Sequence, residues 1–275
     1  LALPQRNETL PASDRVFAVF ALLGAAVVVY FAAASAGTPC LFGDEGSLWS
    51  LKAKALYIDW PLGEFAFYQR HQTHPDYPLL NPLLQVWVYS QLGAVDLWWN
   101  RFPIQLCILA LWFATCSAVR RRLPTGFAIL VLSPMVLDRE FREAASSAYA
   151  DGMVALGAVV ALDAWMLMRE RSAGDAAVAA LRTLVAAGVA FALWSKNEAL
   201  LYVAAMLVAV GITSRGPGRR TRWPGRAWIL PAAIFVLQTA WNRWFGFRSD
   251  LLGGPPSPGI GWPRLFVEQF ASHAP

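Results

Sequence analysis

Long apolar runs separated by short polar segments organise this chain. The runs are rich in Ala, Val and Leu, and none alternates between apolar and polar positions as a barrel strand does. Because a helix needs about 17–25 mostly apolar residues to cross a bilayer, the pattern predicts an all-α, polytopic membrane protein with about seven transmembrane helices. The predicted crossings lie at 16–36, 103–119, 124–138, 148–168, 177–194, 198–213 and 227–243.

An eighth apolar run, at 79–93, is short and is interrupted by Asn81, Pro82 and Gln85. If this run crossed the membrane, the arginine triplet at 120–122 would lie on the same side as the loop that precedes it, and the later arginine clusters would also face outward. Cytoplasmic loops are the ones enriched in Lys and Arg. We therefore predict that 79–93 is a re-entrant or interfacial helix.

The arginines set the expected orientation. They precede the first run and then cluster at 120–122, 169–182 and 215–226, which we expect on the cytoplasmic side. The chain is then predicted to lie in a membrane with its N-terminus inside. The outer segments are 37–102, 139–147, 195–197 and 244–275, and they hold most of the carboxylates that could form a site.

Composition agrees with a membrane protein: 57% of the 275 residues are apolar, 15% are charged and the mean hydropathy is +0.42. These values exclude a disordered chain and an ordinary cytosolic enzyme. The net charge of +5 indicates loop arginines rather than nucleic-acid binding. Residues 1–245 are predicted to form the transmembrane module. The sequence begins at Leu1 and not at Met, and it ends in a Pro- and Gly-rich stretch without a stop-like feature, which predicts a fragment of a longer chain. The stretch 246–275 is predicted to lie on the outer side and to lead to a further C-terminal part.

Asp44 and Glu45 follow the first crossing at the expected bilayer edge. They are candidate catalytic residues, as a general base or as metal ligands, and Asp44 is the preferred base because Gly43 leaves room for a ligand. The alternative is that they only cap the next helix. That helix is predicted at 46–60 as an amphipathic, interfacial helix. Its Lys52 and Lys54 are candidate phosphate ligands or membrane anchors.

A histidine-containing decapeptide begins at His71. His71, His74 and Asp76 have spacing compatible with a divalent metal site, although zinc would need further ligands. The alternative is a His–Asp contact that only orders the loop. Tyr77 joins His74 and Asp76 as a candidate substrate ligand.

Further candidates lie near the ends of later crossings. Asp151 begins a crossing helix, where a carboxylate indicates a functional site or a simple interfacial residue. Asp163 lies about 18 Å further along the same helix, so we predict a structural bond for it. The other candidates are phosphate or sugar ligands, for which a solvated turn or local ion pairing is the alternative. They are Arg139, Lys196, Asn197 and Glu198.

Together, the segments Trp49-Ser-Leu-Lys-Ala-Lys54, His74-Pro-Asp-Tyr-Pro-Leu-Leu80, Arg101-Phe-Pro103, Tyr149-Ala-Asp151 and Ser195-Lys-Asn-Glu198 resemble the GT-C superfamily of membrane glycosyltransferases. The similarity is greatest to the branch of dolichyl-phosphate-mannose protein mannosyltransferases and aminoarabinose transferases, and to an uncharacterised bacterial group within it. One departure is that the chain reads Asp-Tyr-Pro-Leu where that branch has two prolines before Leu.

The resemblance implies an enzyme of a bacterial inner membrane. It implies an inverting transfer of a sugar from a polyprenyl-phosphate donor to a lipid, glycan or protein acceptor outside the cytoplasm. It assigns the catalytic base to Asp44, a second acidic position to Asp151 and a phosphate ligand to Lys196. Some members use a divalent metal ion and others do not. A transporter or lipid flippase is the alternative class, and it would predict mid-membrane charges and internal repeats. An assembly or anchoring protein is a third class.

Overall fold

The computed structural model describes residues 11–40, 43–59, 74–170, 176–213 and 225–247, and all the regular secondary structure in these residues is helical. A π-helical turn at Glu45–Ser50 leads into the second helix, and a 3-10 turn at Gly225–Trp228 leads into the last. The α-helices are α1 Ala12–Ser35, α2 Leu51–Ile58, α3 Leu80–Leu92, α4 Phe102–Arg120, α5 Thr125–Leu137, α6 Arg139–Ser146, α7 Asp151–Glu170, α8 Ala176–Ser195, α9 Ala199–Thr213 and α10 Ile229–Phe245.

Four of these helices are long and apolar enough to cross a membrane: α1, α4, α7 and residues Ala177–Ser195 of α8. Among the described residues, α5 and Ala199–Ile212 of α9 are shorter apolar helices. The fold is therefore that of an all-α membrane protein, as the apolar runs predict. The runs at 124–138, 198–213 and 227–243 also form helices, but these are shorter than the four candidate spans.

The short helix α3 has 13 residues, as does α5, so the re-entrant or interfacial placement of 79–93 stays a prediction. Its polar residues Asn81 and Gln85 are fully buried in protein. The Asn81 amide donates to the Ala148 carbonyl at 2.6 Å, and Gln85 donates to the Asn81 side chain at 2.8 Å. Asn100 in turn donates to Gln85 at 2.7 Å. This buried network explains why polar residues interrupt the apolar run.

The helix predicted at 46–60 is present in its described part, but the prediction that it is amphipathic is wrong. On α2, Lys52 is fully buried and Lys54 is only 8% exposed. Leu51, Ala53 and Leu56 are buried as well, so the helix has no solvated polar face. The lysines point into protein because other segments of the chain cover this helix.

Ion pairs join the helices at one end of the bundle, which we call the arginine end. Arg120, at the end of α4, pairs with Asp14 at the start of α1. Arg121 and Arg122 both pair with Asp163 on α7, the latter at 2.7 Å. The prediction of a structural bond for Asp163 is confirmed.

The opposite end, which we call the Lys196 end, collects the other helix termini. Arg101, preceding α4, donates to the Ser35 carbonyl at the end of α1 at 2.7 Å. Lys196, following α8, contacts Asp151 at the start of α7. The loops that carry the candidate site residues therefore meet at this end of the bundle.

Two glycines allow α7 and α8 to approach closely. A Cβ atom added at Gly157 would lie 2.5 Å from the Gly188 carbonyl oxygen, and one at Gly188 would lie 2.6 Å from the Gly157 carbonyl oxygen. Small residues at a crossing point let helix backbones pack directly in a membrane. This contact fixes the distance between the two helices that carry Asp151 and Lys196 at their ends.

Gly157→Leu is expected to force α7 and α8 apart. The obstructing atoms belong to backbone and cannot rotate away, so the penalty should reach at least the 1–3 kcal/mol typical of overpacking. Thermal unfolding in nanodiscs should show a clearly lowered midpoint. Gly211→Leu, on α9, is the matched control because a Cβ there meets nothing within 4 Å. Equal midpoints for the two variants would contradict the close-packing argument.

Candidate active site

The turn after α8 places a lysine among carboxylates. Its backbone is fixed where the Ala199 N–H donates to the Lys196 carbonyl at 3.2 Å. The Lys196 ammonium donates to Asp151 Oδ1 at 2.9 Å and lies 3.8 Å from Glu198 Oε1. The Lys196 side chain is 20% exposed and that of Asp151 is 68% exposed, so a shielded cation faces an accessible carboxylate.

These neighbours keep Lys196 charged. Burial disfavours the ammonium, but the hydrogen bond and charge of Asp151, together with the charges of Glu198 and Asp44, raise the pKa of Lys196 above its ordinary value. Lys196 is therefore a cation at neutral pH. It can bind an anion by exchanging its contact with the exposed Asp151 for a contact with the ligand.

Tyr77 reaches the same group from the loop that precedes α3. Its hydroxyl donates to Glu198 Oε1 at 2.5 Å, and its ring stacks between Trp49, at 5.6 Å, and His74, at 4.6 Å. Burial, and then the hydrogen bond to Glu198, raise the pKa of the Tyr77 phenol well above its usual range. Tyr77 therefore remains a hydrogen-bond donor that orients Glu198.

Asp76 ties this loop to two other elements. Asn197 donates to Asp76 Oδ2 at 2.7 Å. The backbone carbonyl of Asp76 accepts hydrogen bonds from Gln238 and Asn242 of α10, each at 3.1 Å. Sequence reasoning did not identify these two amides, although polar residues within an apolar run were a signal that could have found them.

Asp44 lies exposed at the entrance to the π-helical turn. Its charge acts on both Lys196 and Tyr149, since burial and then Asp44 raise the pKa of the Tyr149 phenol. Gly43 adopts a φ of +62°, and a Cβ there would meet the Tyr149 hydroxyl at 3.2 Å. Sequence reasoning quoted Tyr149 only within a motif. Asp44 thus combines solvent access with proximity to Lys196.

Asp44, Tyr77, Asp151, Lys196 and Glu198 come from four separate segments, and we call them the acid–lysine cluster. All were predicted from the sequence as candidate site residues. The cluster lies at the Lys196 end of the bundle, where it combines an accessible carboxylate with a cation. Such a set can accept a proton and hold an anionic group.

Glu45 has a different environment from its neighbour Asp44. Its carboxylate is buried, pairs with Arg101 and accepts the Ala148 N–H at 2.9 Å. Arg101 also contacts the Cys40 sulfur at 3.0 Å, and burial is the main cause that raises the pKa of the Cys40 thiol to about 12. Both Glu45 oxygens are therefore engaged, and the residue joins three loops.

Lys52, on α2, contacts the acid–lysine cluster through the backbone of Tyr77 and, within the described residues, not through a charged side chain. Lys52 donates to the backbone carbonyls of His74, Pro75 and Tyr77, and burial lowers its pKa to about 7. Burial also lowers the pKa of Lys54. Lys52 therefore contacts protein carbonyls where the sequence suggested a phosphate ligand.

Arg139 forms an exposed ion pair with Glu143 one turn along α6, at 2.6 Å. This is the local pairing that the sequence left as an alternative to phosphate binding. Exposed pairs of this kind contribute little to stability.

The described part of the chain contains no set of side chains that could bind a metal ion. Among those residues, no group of three or more His, Cys, Asp and Glu side chains is placed to hold a metal ion. His71 lies outside the described residues. His74 stacks on Tyr77, as noted above, and adopts a φ of +54°.

No family model matches this chain, and no curated protein matches it either. The evidence for a function therefore comes from the short motifs and from the geometry of the acid–lysine cluster.

Proposed function

We propose that this protein is a membrane glycosyltransferase that moves a sugar from a polyprenyl-phosphate donor to an acceptor on the outer face of a bacterial inner membrane. The observation that carries the proposal is the acid–lysine cluster at one end of a bundle of apolar helices. A donor with a prenyl tail and a phosphate would place its charged group at this depth. The GT-C-like motifs contain Tyr77, Asp151, Lys196 and Glu198, and the same resemblance assigns the catalytic base to Asp44.

The distribution of arginines supports the proposed orientation. Arg120, Arg121 and Arg122 lie at the arginine end, which the positive-inside rule assigns to the cytoplasm. The Lys196 end then faces outward. In this arrangement α5, α9 and α10 would complete seven crossings with the four longer helices.

The cluster residues take distinct roles in a single displacement. Asp44 accepts the proton of the acceptor hydroxyl or amine, whose oxygen or nitrogen bonds to the anomeric carbon while the bond from that carbon to the phosphate oxygen breaks. The electron pair of the broken bond stays on the polyprenyl phosphate, whose charge Lys196 stabilises. Attack opposite the leaving group inverts the anomeric centre. Asp151 and Glu198 hold Lys196 before the donor binds.

A transfer assay tests this function. The full chain in nanodiscs is incubated with radiolabelled polyprenyl-phosphate hexoses or pentoses and with membranes from a strain lacking the protein as acceptor source. Wild-type protein should transfer label from at least one donor. In vesicles, movement of the intact donor from one leaflet to the other, without cleavage of the sugar–phosphate bond, would instead favour the flippase alternative. The absence of transfer with every donor would overturn the enzyme proposal.

Lys196→Met is expected to lower transfer about 10- to 100-fold, because a hydrogen bond to a charged group contributes about 1.5–3 kcal/mol. The loss should appear at subsaturating donor. Arg243→Met is the matched control, since it removes an exposed cation near the end of α10. Similar losses in both variants would contradict a specific phosphate-binding role for Lys196.

A further inference from the structure

Lys52 is a buried lysine whose ammonium contacts the backbone of the His74–Tyr77 loop and, within the described residues, none of the cluster's charged groups. It lies fully buried on α2. Its ammonium is 3.4 Å from the carbonyl oxygens of His74 and Pro75 and 3.3 Å from that of Tyr77. All three acceptors belong to one tight turn, closed by the Tyr77 N–H donating to the His74 carbonyl at 3.2 Å.

An ammonium suits this position because it has three donors and no acceptor. Three carbonyls that converge in a buried space require a donor, since an unpaired buried carbonyl is costly. The charge of Asp76, within the same turn, favours the protonated lysine, although burial opposes it more strongly. One side chain thus fixes the direction of three peptide groups.

The turn held by Lys52 presents its side chains to the segment that carries Lys196. Tyr77 donates to Glu198, and Asp76 accepts from Asn197. Glu198 and Asn197 directly follow Lys196 in the sequence. Displacement of the turn would therefore release both residues next to the proposed phosphate ligand.

We propose that Lys52 is a positioning residue, which holds the His74–Tyr77 turn so that Tyr77 and Asp76 fix the Lys196–Glu198 segment. Its action on transfer rests on the proposed function, whereas its action on the structure does not. This role differs from the direct phosphate contact that the sequence suggested for Lys52. The lysine acts through backbone carbonyls and then through two side-chain hydrogen bonds.

Hydrogen exchange in nanodiscs without substrate tests the structural part. Lys52→Met has a similar volume and removes the three donors, so exchange should rise about 10-fold at residues 76–77 and at 196–199 and stay unchanged in α1 and α4. Lys54→Met removes the other buried lysine of α2 and should leave 196–199 protected. Unchanged protection at 196–199 in Lys52→Met would overturn the proposal, and so would a uniform loss of protection.

Tyr77→Phe keeps the test decisive if Lys52→Met does not fold, and a combined variant extends the test if Lys52→Met does fold. Tyr77→Phe leaves the three carbonyls and Lys52 in place, so it should loosen 196–199 but not the amide of residue 77. In a Tyr77→Phe/Asn197→Ala background both links are absent, and adding Lys52→Met should change exchange at 196–199 less than twofold. The opposite pattern in either experiment would overturn the proposal.

The transfer assay tests the functional part separately. Lys52→Met should raise the donor KM about 10-fold with a smaller change in kcat, because the phosphate ligand is loosened while Asp44 is unchanged. If no transfer occurs in wild type, the proposed function fails while the exchange result still decides the positioning role. If transfer occurs and the donor KM of Lys52→Met equals that of wild type, the positioning role in catalysis is excluded.

Discussion

Asp44→Asn is expected to lower kcat for sugar transfer about 10²- to 10⁴-fold, the contribution of a positioned general base. Asparagine has nearly the same size and retains a side-chain oxygen, so the π-helical turn that follows should keep its start. What the variant removes is the capacity to accept a proton. The donor KM should change little, because Lys196 and its hydrogen bonds remain.

The base is assigned to Asp44 and not to Glu45 because the two carboxylates have different surroundings. Asp44 is exposed and makes no side-chain hydrogen bond within the described residues, whereas Glu45 is buried with both oxygens engaged. A base must be free to receive a proton and to pass it to solvent. Asp44 meets that requirement at the side of the cluster that faces Lys196.

Transfer kinetics with a saturating donor provide the measurement for Asp44→Asn. Glu140→Gln, which neutralises an exposed carboxylate in the first turn of α6, is the matched control and should retain wild-type kcat. A kcat for Asp44→Asn within twofold of wild type would remove Asp44 from the role of base. In that case Asp151, the other exposed carboxylate of the cluster, would be the next base to test.

The helices were predictable because their signal is local. A run of Ala, Val and Leu around 148–168 defines α7 without reference to any other part of the chain. The same reasoning grouped Asp44, Asp151 and Lys196 on one face, since the alternation of crossings determines which loops meet. In the structure Lys196 forms an ion pair with Asp151, and the charge of Asp44 helps to raise the pKa of Lys196.

The contacts of Lys52 were not predictable in the same way. A helical stripe with lysines indicates an amphipathic surface only if the polar face meets solvent. Here the carbonyls that cover Lys52 come from a turn 22–25 residues away in the chain. The partner of Glu45, Arg101, lies 56 residues away. Such long-range pairings depend on how loops pack, which composition and periodicity do not specify.

Arg101→Met is expected to destabilise the fold by about 3–5 kcal/mol, the usual consequence of leaving one partner of a buried ion pair without the other. Glu45 would lose its cation while staying buried. The variant would also lose the donors that reach the Ser35 carbonyl and the Cys40 sulfur. The end of α1, the start of α4 and the start of the π-helical turn should therefore separate together.

Thermal unfolding in nanodiscs, followed by the fraction that remains monodisperse, measures this effect. The double variant Arg101→Met/Glu45→Gln should recover part of the lost stability, since it removes the buried uncompensated charge as well. Arg243→Met, which removes an exposed arginine, should unfold like wild type. A double variant less stable than Arg101→Met would contradict the buried, uncompensated charge of Glu45 as the cause of the destabilisation. Because Glu45 directly follows Asp44, loss of this ion pair should also lower transfer before the bundle unfolds.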